Sequence, residues 1–462
     1  MKVLILDPSW PGKNAVSSEK IVTASTGGAP QQNEGAMCVA QAARMAGHEV
    51  EYFQAPYHGS PEDVLAKIEN IAVLALSLMQ WNTPVGLRFA QKAKEINPMV
   101  KVAVGGVSPT CVPEHYYKNP SIDAVFVREG EEIFVKWLNA GMPSGIFKAS
   151  RVIDWAKYQA PVDQTILKNL YFRGLAPAGN AWGFYFTRGC AGRCKFCCTP
   201  HVFPGGEIAD DVLGAIRRLI HLREQGVMGV DIANATFNDN PTLVRYFCES
   251  LISSGLKMPW TAMCGTHGVD FDIYSLMAKA GCFKVGFGIE NATQQGRKKL
   301  GKRGFASDKC HDSVYAAHDA GLLIRGFLMI GSLEDDEQTI DSVKELLTML
   351  PIDDPRLAFI TPFAGTTFHK QMVYSGQIID DDWSHYTTNR PVIGTEDRVM
   401  ELITMQREII HWFWAEGPGR SQMIKRLYND PTAWVSRYHR FLTRDIIPNG
   451  FLRPEEVPSE IL

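Results

Sequence analysis

Two long stretches of the chain alternate short β-branched runs with amphipathic helical patterns, and no short-period repeat or low-complexity tract interrupts them. Such alternation leaves few folds open, because strand, helix and strand in one sheet close as a right-handed parallel crossover. In the first 140 residues the runs are KVLILD from Lys2, EVEYF from Glu49, AVLALS from Ala72, VAVGG from Val102 and DAVFV from Asp123. Between them lie EGAMCVAQAARMAG and PVGLRFAQKAKEIN, with apolar residues at helical spacing. The pattern predicts a doubly wound, mostly parallel, Rossmann-like α/β domain over residues 1–148. Ligands of such sheets sit at the carboxyl ends of the strands, here the loops SLMQWN from Ser77, GGVSPT from Gly105 and REGEE from Arg128.

An irregular, proline-containing connector spans 149–180. Alternation then resumes over 181–380 with GFYFTR from Gly183, GVDIAN from Gly229, WTAMC from Trp260, KVGFGIE from Lys284, LIRGFLMIG from Leu323 and RLAFITPF from Arg356. Six consecutive βα units favour a partial (β/α)6 TIM barrel over a second open sheet. Residues 381–462, with aromatic-rich segments such as VMELITMQREIIHWFW, read as a C-terminal helical region.

Charge narrows the partners. With 47 Lys and Arg against 50 Asp and Glu, the chain has no basic excess with which to neutralise a phosphate backbone, so nucleic acid is not expected as substrate. No apolar run approaches the roughly 20 residues that span a bilayer, and the apolar start MKVLILDPSW is too short for a signal peptide. A cytoplasmic protein is expected. Ten cysteines, four of them in one short segment and three of those at metal-binding spacing, suit metal binding in a reducing compartment.

That segment, TRGCAGRCKFCCTP, sets Cys190, Cys194 and Cys197 at C-x3-C-x2-C spacing directly after the first strand of the second block. Three thiolates on a compact loop can hold three irons of a four-iron, four-sulfur cluster and leave the fourth iron open. Zinc prefers four ligands from paired knuckles, and no second C-x2-C or matching histidine pair occurs. Cys198 breaks the spacing and reads as an ordinary buried thiol.

At these residues the chain resembles the radical S-adenosylmethionine (SAM) superfamily, over about Gly183 to Lys370. The resemblance implies that SAM chelates the open iron through its amino and carboxylate groups and is cleaved reductively to a 5′-deoxyadenosyl radical. It implies that Phe196 packs by the SAM adenine, that Glu290 in KVGFGIENAT contacts SAM, and that the backbone at Ile330 and Gly331 in GFLMIGSLE lies by the adenine. TPFAGTTFH resembles the end of the sixth strand. Where many relatives carry an acidic pair and an arginine, this chain has NATFNDN and CGTHGVD, which puts Asn234, Asn238, Asp239, Thr266 and His267 at the barrel mouth. Arg325 is then the candidate partner of the SAM carboxylate.

VAVGGVSPT followed by DAVFVREGEE resembles the cobalamin-binding domain of the cobalamin-dependent radical SAM family. Ser77, Gly105, Gly106, Glu129 and Gly130 would then approach the corrin and its nucleotide tail. The D-x-H-x-x-G motif that ligates cobalt in other cobalamin folds is absent, since Asp7-Pro8-Ser9-Trp10 has no histidine, which implies a non-histidine lower face. The leading reading is a cobalamin-dependent methyltransferase acting on an unactivated carbon of a small-molecule substrate, with reduced flavodoxin or ferredoxin as electron donor. The alternative is a cobalamin-independent dehydratase, epimerase or rearrangement enzyme acting on a sugar-like or amino-acid-like metabolite, with the first domain as a cap. Its candidate hydrogen donors or acid-base groups are Cys198, Cys264, Cys282 and Tyr185. A third reading is an iron-sulfur scaffold without turnover.

Overall fold

The computed structural model describes residues 1–9, 32–172, 176–177, 179–268, 270–304, 306–332 and 335–429. Its frame is a pair of six-stranded, all-parallel sheets. The first has the order β2-β1-β3-β4-β5-β6, with β1 Lys2–Asp7, β2 Glu49–Gln54, β3 Val73–Ser77, β4 Lys101–Gly105, β5 Ala124–Val127 and β6 Gly145–Lys148. Its central strands are apolar almost throughout because both faces are covered. Leu4, Leu6, Leu74 and Val102 point into one core, and Val3, Ile5, Ala75 and Ala103 into the other. The sixth strand is four residues of half-buried or exposed edge, too short to leave a readable alternation.

Strand order reverses between β1 and β3, and a polar network fills the crevice there. Asn33 donates to Asp7 Oδ2 at 2.9 Å and to Ser77 Oγ at 3.0 Å, and Asn82 donates to Asp7 Oδ1 at 3.3 Å. Burial pushes the Asp7 carboxyl above its ordinary range, and these donors and Ser9 oppose that. Trp10, the last residue of the tetrapeptide that lacks a histidine, lies outside the described residues.

The second sheet runs in sequential order: β7 Ala181–Phe184, β10 Gly229–Ile232, β11 Trp260–Cys264, β12 Cys282–Glu290, β13 Leu323–Ile330 and β14 Asp354–Phe359. Strands β7 and β14 are its edges, which makes it an open arc of six βα units, a partial barrel. One detail departs from the sequence pattern. The strand GFYFTR is two pieces, because β8, Thr187–Arg188, leaves β7 and pairs antiparallel with β9, Ile208–Ala209. Asn234 makes the break, its Oδ1 accepting the Phe186 and Thr187 amides at 3.0 Å each. Loop 189–207 is thereby pinned at both ends.

Helices of the second block start on clear caps. Asn240 caps Pro241–Ser253, and Asp336 and Thr339 form a capping box on Glu337–Met349. Helix Glu396–Ala415 packs back onto the barrel core through Leu402, Ile409, Ile410 and Phe413. Beyond Asn429, the expected C-terminal helical region lies outside the described residues. No described helix is long and apolar enough to cross a membrane.

The carboxyl edges of the two sheets face one another. The Ala364 amide donates to Gln80 Oε1 at 2.8 Å, Gln32 Nε2 donates to Gly183 O at 2.7 Å, and His115 stacks on Trp383 at 4.4 Å. Gly365 is so close that a Cβ there would lie 2.7 Å from Cys111 O.

Candidate active site

The cysteine loop depends on two glycines. Gly189 has φ +106°, and a Cβ on it would lie 2.1 Å from Gly206 O, so no other residue fits beside β9. A Cβ on Gly192 would lie 3.2 Å from Cys190 Sγ and 3.9 Å from Cys194 Sγ, so both sulfurs converge on the space this glycine leaves. Backbone amides point at the sulfurs, Gly192 N–H at Cys190 Sγ (3.2 Å) and Thr199 N–H at Cys197 Sγ (3.4 Å). All three cysteines are half-buried and free. Burial pushes the Cys194 thiol up to about 11, helped by Cys197, Glu290 and Cys190 and opposed by Lys302. Among the described residues no three His, Cys, Asp or Glu side chains are disposed to hold a single ion. A cluster of four irons spaces its thiolates more widely than one ion does. Phe196 is half-buried within the same loop.

Charged pairs rim the barrel mouth. Glu290 ends β12 in a bulge, with φ +69°, and its Oε1 lies 2.9 Å from Lys302 Nζ. Gly288 makes room for the pair, since a Cβ there would meet Glu290 Oε1 at 2.5 Å and Lys302 Nζ at 2.6 Å. Asp239 lies 2.9 Å from His267 Nε2 and 2.9 Å from Arg303 Nη1. Of the five polar residues expected at the mouth, Asp239 and His267 pair with each other there. The others serve the backbone: Asn234 as above, Asn238 in a two-way bond with Gly265, and Thr266 donating to Gly304 O. Ile330 is buried and Gly331 has φ +99°, its amide donating to Asp335 at 2.6 Å.

Lys302 and Arg303 escape the sequence reading although a signal exists. They stand as a cation pair between two glycines in LGKRG, directly after the helix Gln294–Lys299. Cys198 is half-buried and caps the short helix Thr199–Val202, which packs against the first domain's helix Val107–Cys111.

Two expectations are corrected. Arg325 is not at the mouth: it is the third residue of β13, at the amino end of the strands, with Nη2 2.7 Å from Asp354 Oδ2. Arg356 holds the other Asp354 oxygen at 3.1 Å. Burial disfavours the Asp354 carboxylate, but Arg325, Arg356 and Lys284 outweigh it and hold the group ionised. Glu129 has its carboxylate taken up within the fold. Its Oε2 lies 2.8 Å from Arg151 Nε and its Oε1 3.4 Å from Arg188 Nη1, while Arg188 reaches Glu131 at 2.6 Å. Arg151 also donates to Pro204 O and Gly206 O at 2.9 Å, so Glu129 works through the arginines as a latch on the cysteine loop. Gly130 heads the helix Glu131–Asn139 and is packed by Val39.

Ser77, Gly105 and Gly106 do end strands at the facing edge. A Cβ on Gly106 would strike Leu78 O at 2.7 Å, and with φ +109° this glycine lets the β3 and β4 loops close on each other. Gly105 keeps open space, with Phe126 Cβ at 3.7 Å its nearest contact. Beside them Gln80 Nε2 is buried and finds no hydrogen-bond acceptor among the described residues.

Residues 20–138 match the B12 binding domain and residues 184–346 match the radical SAM superfamily. An uncharacterized methyltransferase of Pyrococcus horikoshii is 26% identical over 332 residues, covering 68% of this chain and 72% of its own length. Bacteriochlorophyllide d C-12(1)-methyltransferase of Chlorobaculum tepidum is 24% identical, with 82% of each chain covered. Among solved structures, the cobalamin-dependent S-adenosylmethionine radical enzyme OxsB, with aqua-cobalamin and S-adenosylmethionine bound, superposes with a TM-score of 0.66 at 14% identity, over 96% of this chain and 71% of that one. This last likeness speaks to the fold. With both domain matches in chain order and the two sheets arranged edge to edge, the chain carries a B12 binding domain followed by a radical SAM domain.

Proposed function

We propose that the protein is a cobalamin-dependent radical SAM methyltransferase acting on an unactivated carbon of a small-molecule substrate. The observation that carries this is the loop of three free thiols, Cys190, Cys194 and Cys197, the first two converging on Gly192, at a barrel mouth that faces the ligand edge of a B12-binding domain. When bound, a four-iron cluster supplies the electron that cleaves SAM to methionine and a 5′-deoxyadenosyl radical, and cobalamin carries the methyl group. The protein's part is to hold these groups in register and keep water out.

The three cysteines hold the cluster, and the Gly192 and Thr199 amides stabilise two of the thiolates. Lys302 and Glu290, paired and close to Cys194, are suited to the carboxylate and amino groups of SAM. Phe196 and the Ile330–Gly331 backbone border the adenine. On the opposite edge, Ser77, Gly105 and Gly106 offer small residues to a flat macrocycle. The unmatched Gln80 amide suits a ligand rich in amide acceptors. Residues 1–148 and 181–380 act as the two functional domains, joined by 149–180 and followed by the C-terminal region. Ten free cysteine thiols suit a reducing, cytoplasmic setting with flavodoxin or ferredoxin as donor.

Anaerobic reconstitution with hydroxocobalamin and SAM, followed by dithionite, tests the reading. It expects one cobalamin per chain in the visible spectrum and formation of 5′-deoxyadenosine, with S-adenosylhomocysteine appearing as methyl is transferred. Turnover to 5′-deoxyadenosine by protein that binds no cobalamin and forms no S-adenosylhomocysteine would overturn methyl transfer.

A further inference from the structure

Charge is nearly balanced along the whole chain, yet three segments break that balance. Residues 190–204, 291–304 and 365–376 together hold eight Lys and Arg and no Asp or Glu. The fold brings them side by side. Lys195 N–H donates to Leu300 O at 3.0 Å, and Phe368 N–H donates to Lys195 O at 2.9 Å. A Cβ on Gly301 would lie 3.5 Å from Arg193 O and 3.6 Å from Lys195 Cγ. Lys370 lies close enough to His201 and His369 to lower the proton affinity of both, adding to the effect of their burial.

Some of these cations are spent within the fold. Arg297 is buried and donates to Asn291 O and Ala292 O, Lys302 pairs with Glu290, and Arg303 with Asp239. Arg193, Lys298 and Lys370 are exposed, and Lys195 is half-buried among them. Beside the charges stands an apolar anchor. Tyr374, four residues after Lys370 on the same helical face, is 95% exposed, and Val373 is 55% exposed. A cationic rim around an exposed aromatic is the composition of a protein-docking patch. Its position is the telling feature, because Arg193 and Lys195 flank Cys194 in the chain. A donor seated here has a covalent path of one residue to a cluster ligand.

We propose that this face docks a small acidic one-electron carrier protein that reduces the cluster, an inference that rests on the cluster assignment above. The step is an outer-sphere transfer in which the carrier is oxidised by one electron, the cluster is reduced by one, and no bond is made or broken. Opposite charge steers the encounter and makes its rate fall with salt.

Reduced flavodoxin is the probe. Stopped-flow reduction of the reconstituted cluster is followed at low and high ionic strength in the natural protein, in K298E/K370E and in the milder K298Q/K370Q. The proposal expects the flavodoxin rate to fall about tenfold or more in K298E/K370E at low salt, less in K298Q/K370Q, and the three proteins to converge at high salt. SAM cleavage driven by dithionite is expected to stay within about twofold throughout. A flavodoxin rate unaffected by either double substitution or by salt would overturn the proposal. So would parallel losses with both reductants, since the face would then serve the fold. Tight binding of a short RNA, abolished by K298E/K370E while flavodoxin still reduces that variant at the natural rate, would assign the face to nucleic acid instead. Failure of dithionite to drive SAM cleavage in the natural protein would refute the functional reading itself.

Discussion

The two facing sheet edges are built from the same kind of strand, yet they treat polar side chains in opposite ways. On the barrel side the three thiols of the cysteine loop stay free, Cys190 and Cys194 converging on Gly192, and the charged pairs Glu290–Lys302 and Asp239–Arg303 are drawn up around the mouth. On the first sheet's edge, Asp7, Asn33, Ser77 and Asn82 satisfy each other, and Glu129 is taken by two arginines. The barrel edge is kept open for chemistry, while much of the opposite edge holds itself together and clamps the loop below it. The thiols that must bind something else are left free by their own chain, and that is where function shows.

The largest test of this contrast removes an open group. Replacing Cys190, Cys194 or Cys197 by alanine is expected to abolish 5′-deoxyadenosine formation, a loss of about a thousandfold or more, with iron content after reconstitution falling sharply. Any one of these variants that keeps near-natural iron and turnover breaks the comparison.

Next in size is the clamp. Arg188 is buried between Glu129 and Glu131, stacked over Trp155 at 4.6 Å, and removing it leaves the buried Glu131 carboxylate without its cation while Glu129 keeps Arg151. Arg188→Met is expected to lower unfolding free energy by about 3–5 kcal/mol in urea titrations. Reconstituted protein that survives should keep its cluster, because Arg188 binds no iron. A neutral effect on stability would remove the latch from the account.

The same interface sets a pH dependence. Burial raises the Glu34 carboxyl to about 7, with Arg188, Cys38 and Arg218 opposing and Glu131 adding. A carboxyl whose folded pKa lies above its unfolded value of 4.5 contributes stability fully at pH 4.5 and below, and loses it as pH rises through 7. The loss from this group is at most about 3 kcal/mol. Urea midpoints compared at pH 5.5 and pH 8 check it, and Glu34→Gln should flatten the difference. An unchanged pH slope in that variant would rule the group out.

The smallest effect separates the mouth from the amino end of the barrel. Lys302→Met should raise the KM for SAM about 10- to 100-fold, or about 1.4 to 2.8 kcal/mol, with iron content unchanged. Arg325→Met should leave KM alone and lower stability. If the two variants exchanged phenotypes, the placement of the SAM carboxylate would be wrong.

Much of this was readable in residue order. Both sheets are legible because βα alternation over long stretches admits few arrangements, and the cysteine triplet because thiol spacing is set by the cluster it suits. Arg325 misled because a strand residue's distance from the mouth depends on where the strand starts, which periodicity fixes only loosely. Glu129 misled because a motif residue can be captured by an arginine 22 or 59 positions away, and nothing local records that. Lys302 and Arg303 were hidden for the converse reason: a cation in a loop becomes a site residue only when the bulge at Glu290 and the turn at Gly304 bring it to the mouth.

The central claim is that three cysteines hold a cluster with one open iron to which SAM binds. Electron paramagnetic resonance of the dithionite-reduced, reconstituted protein tests it directly, recorded with and without SAM. The account predicts a four-iron cluster signal whose g-values shift when SAM is added. A spectrum identical in both samples, or iron content far below about four per chain, would contradict it.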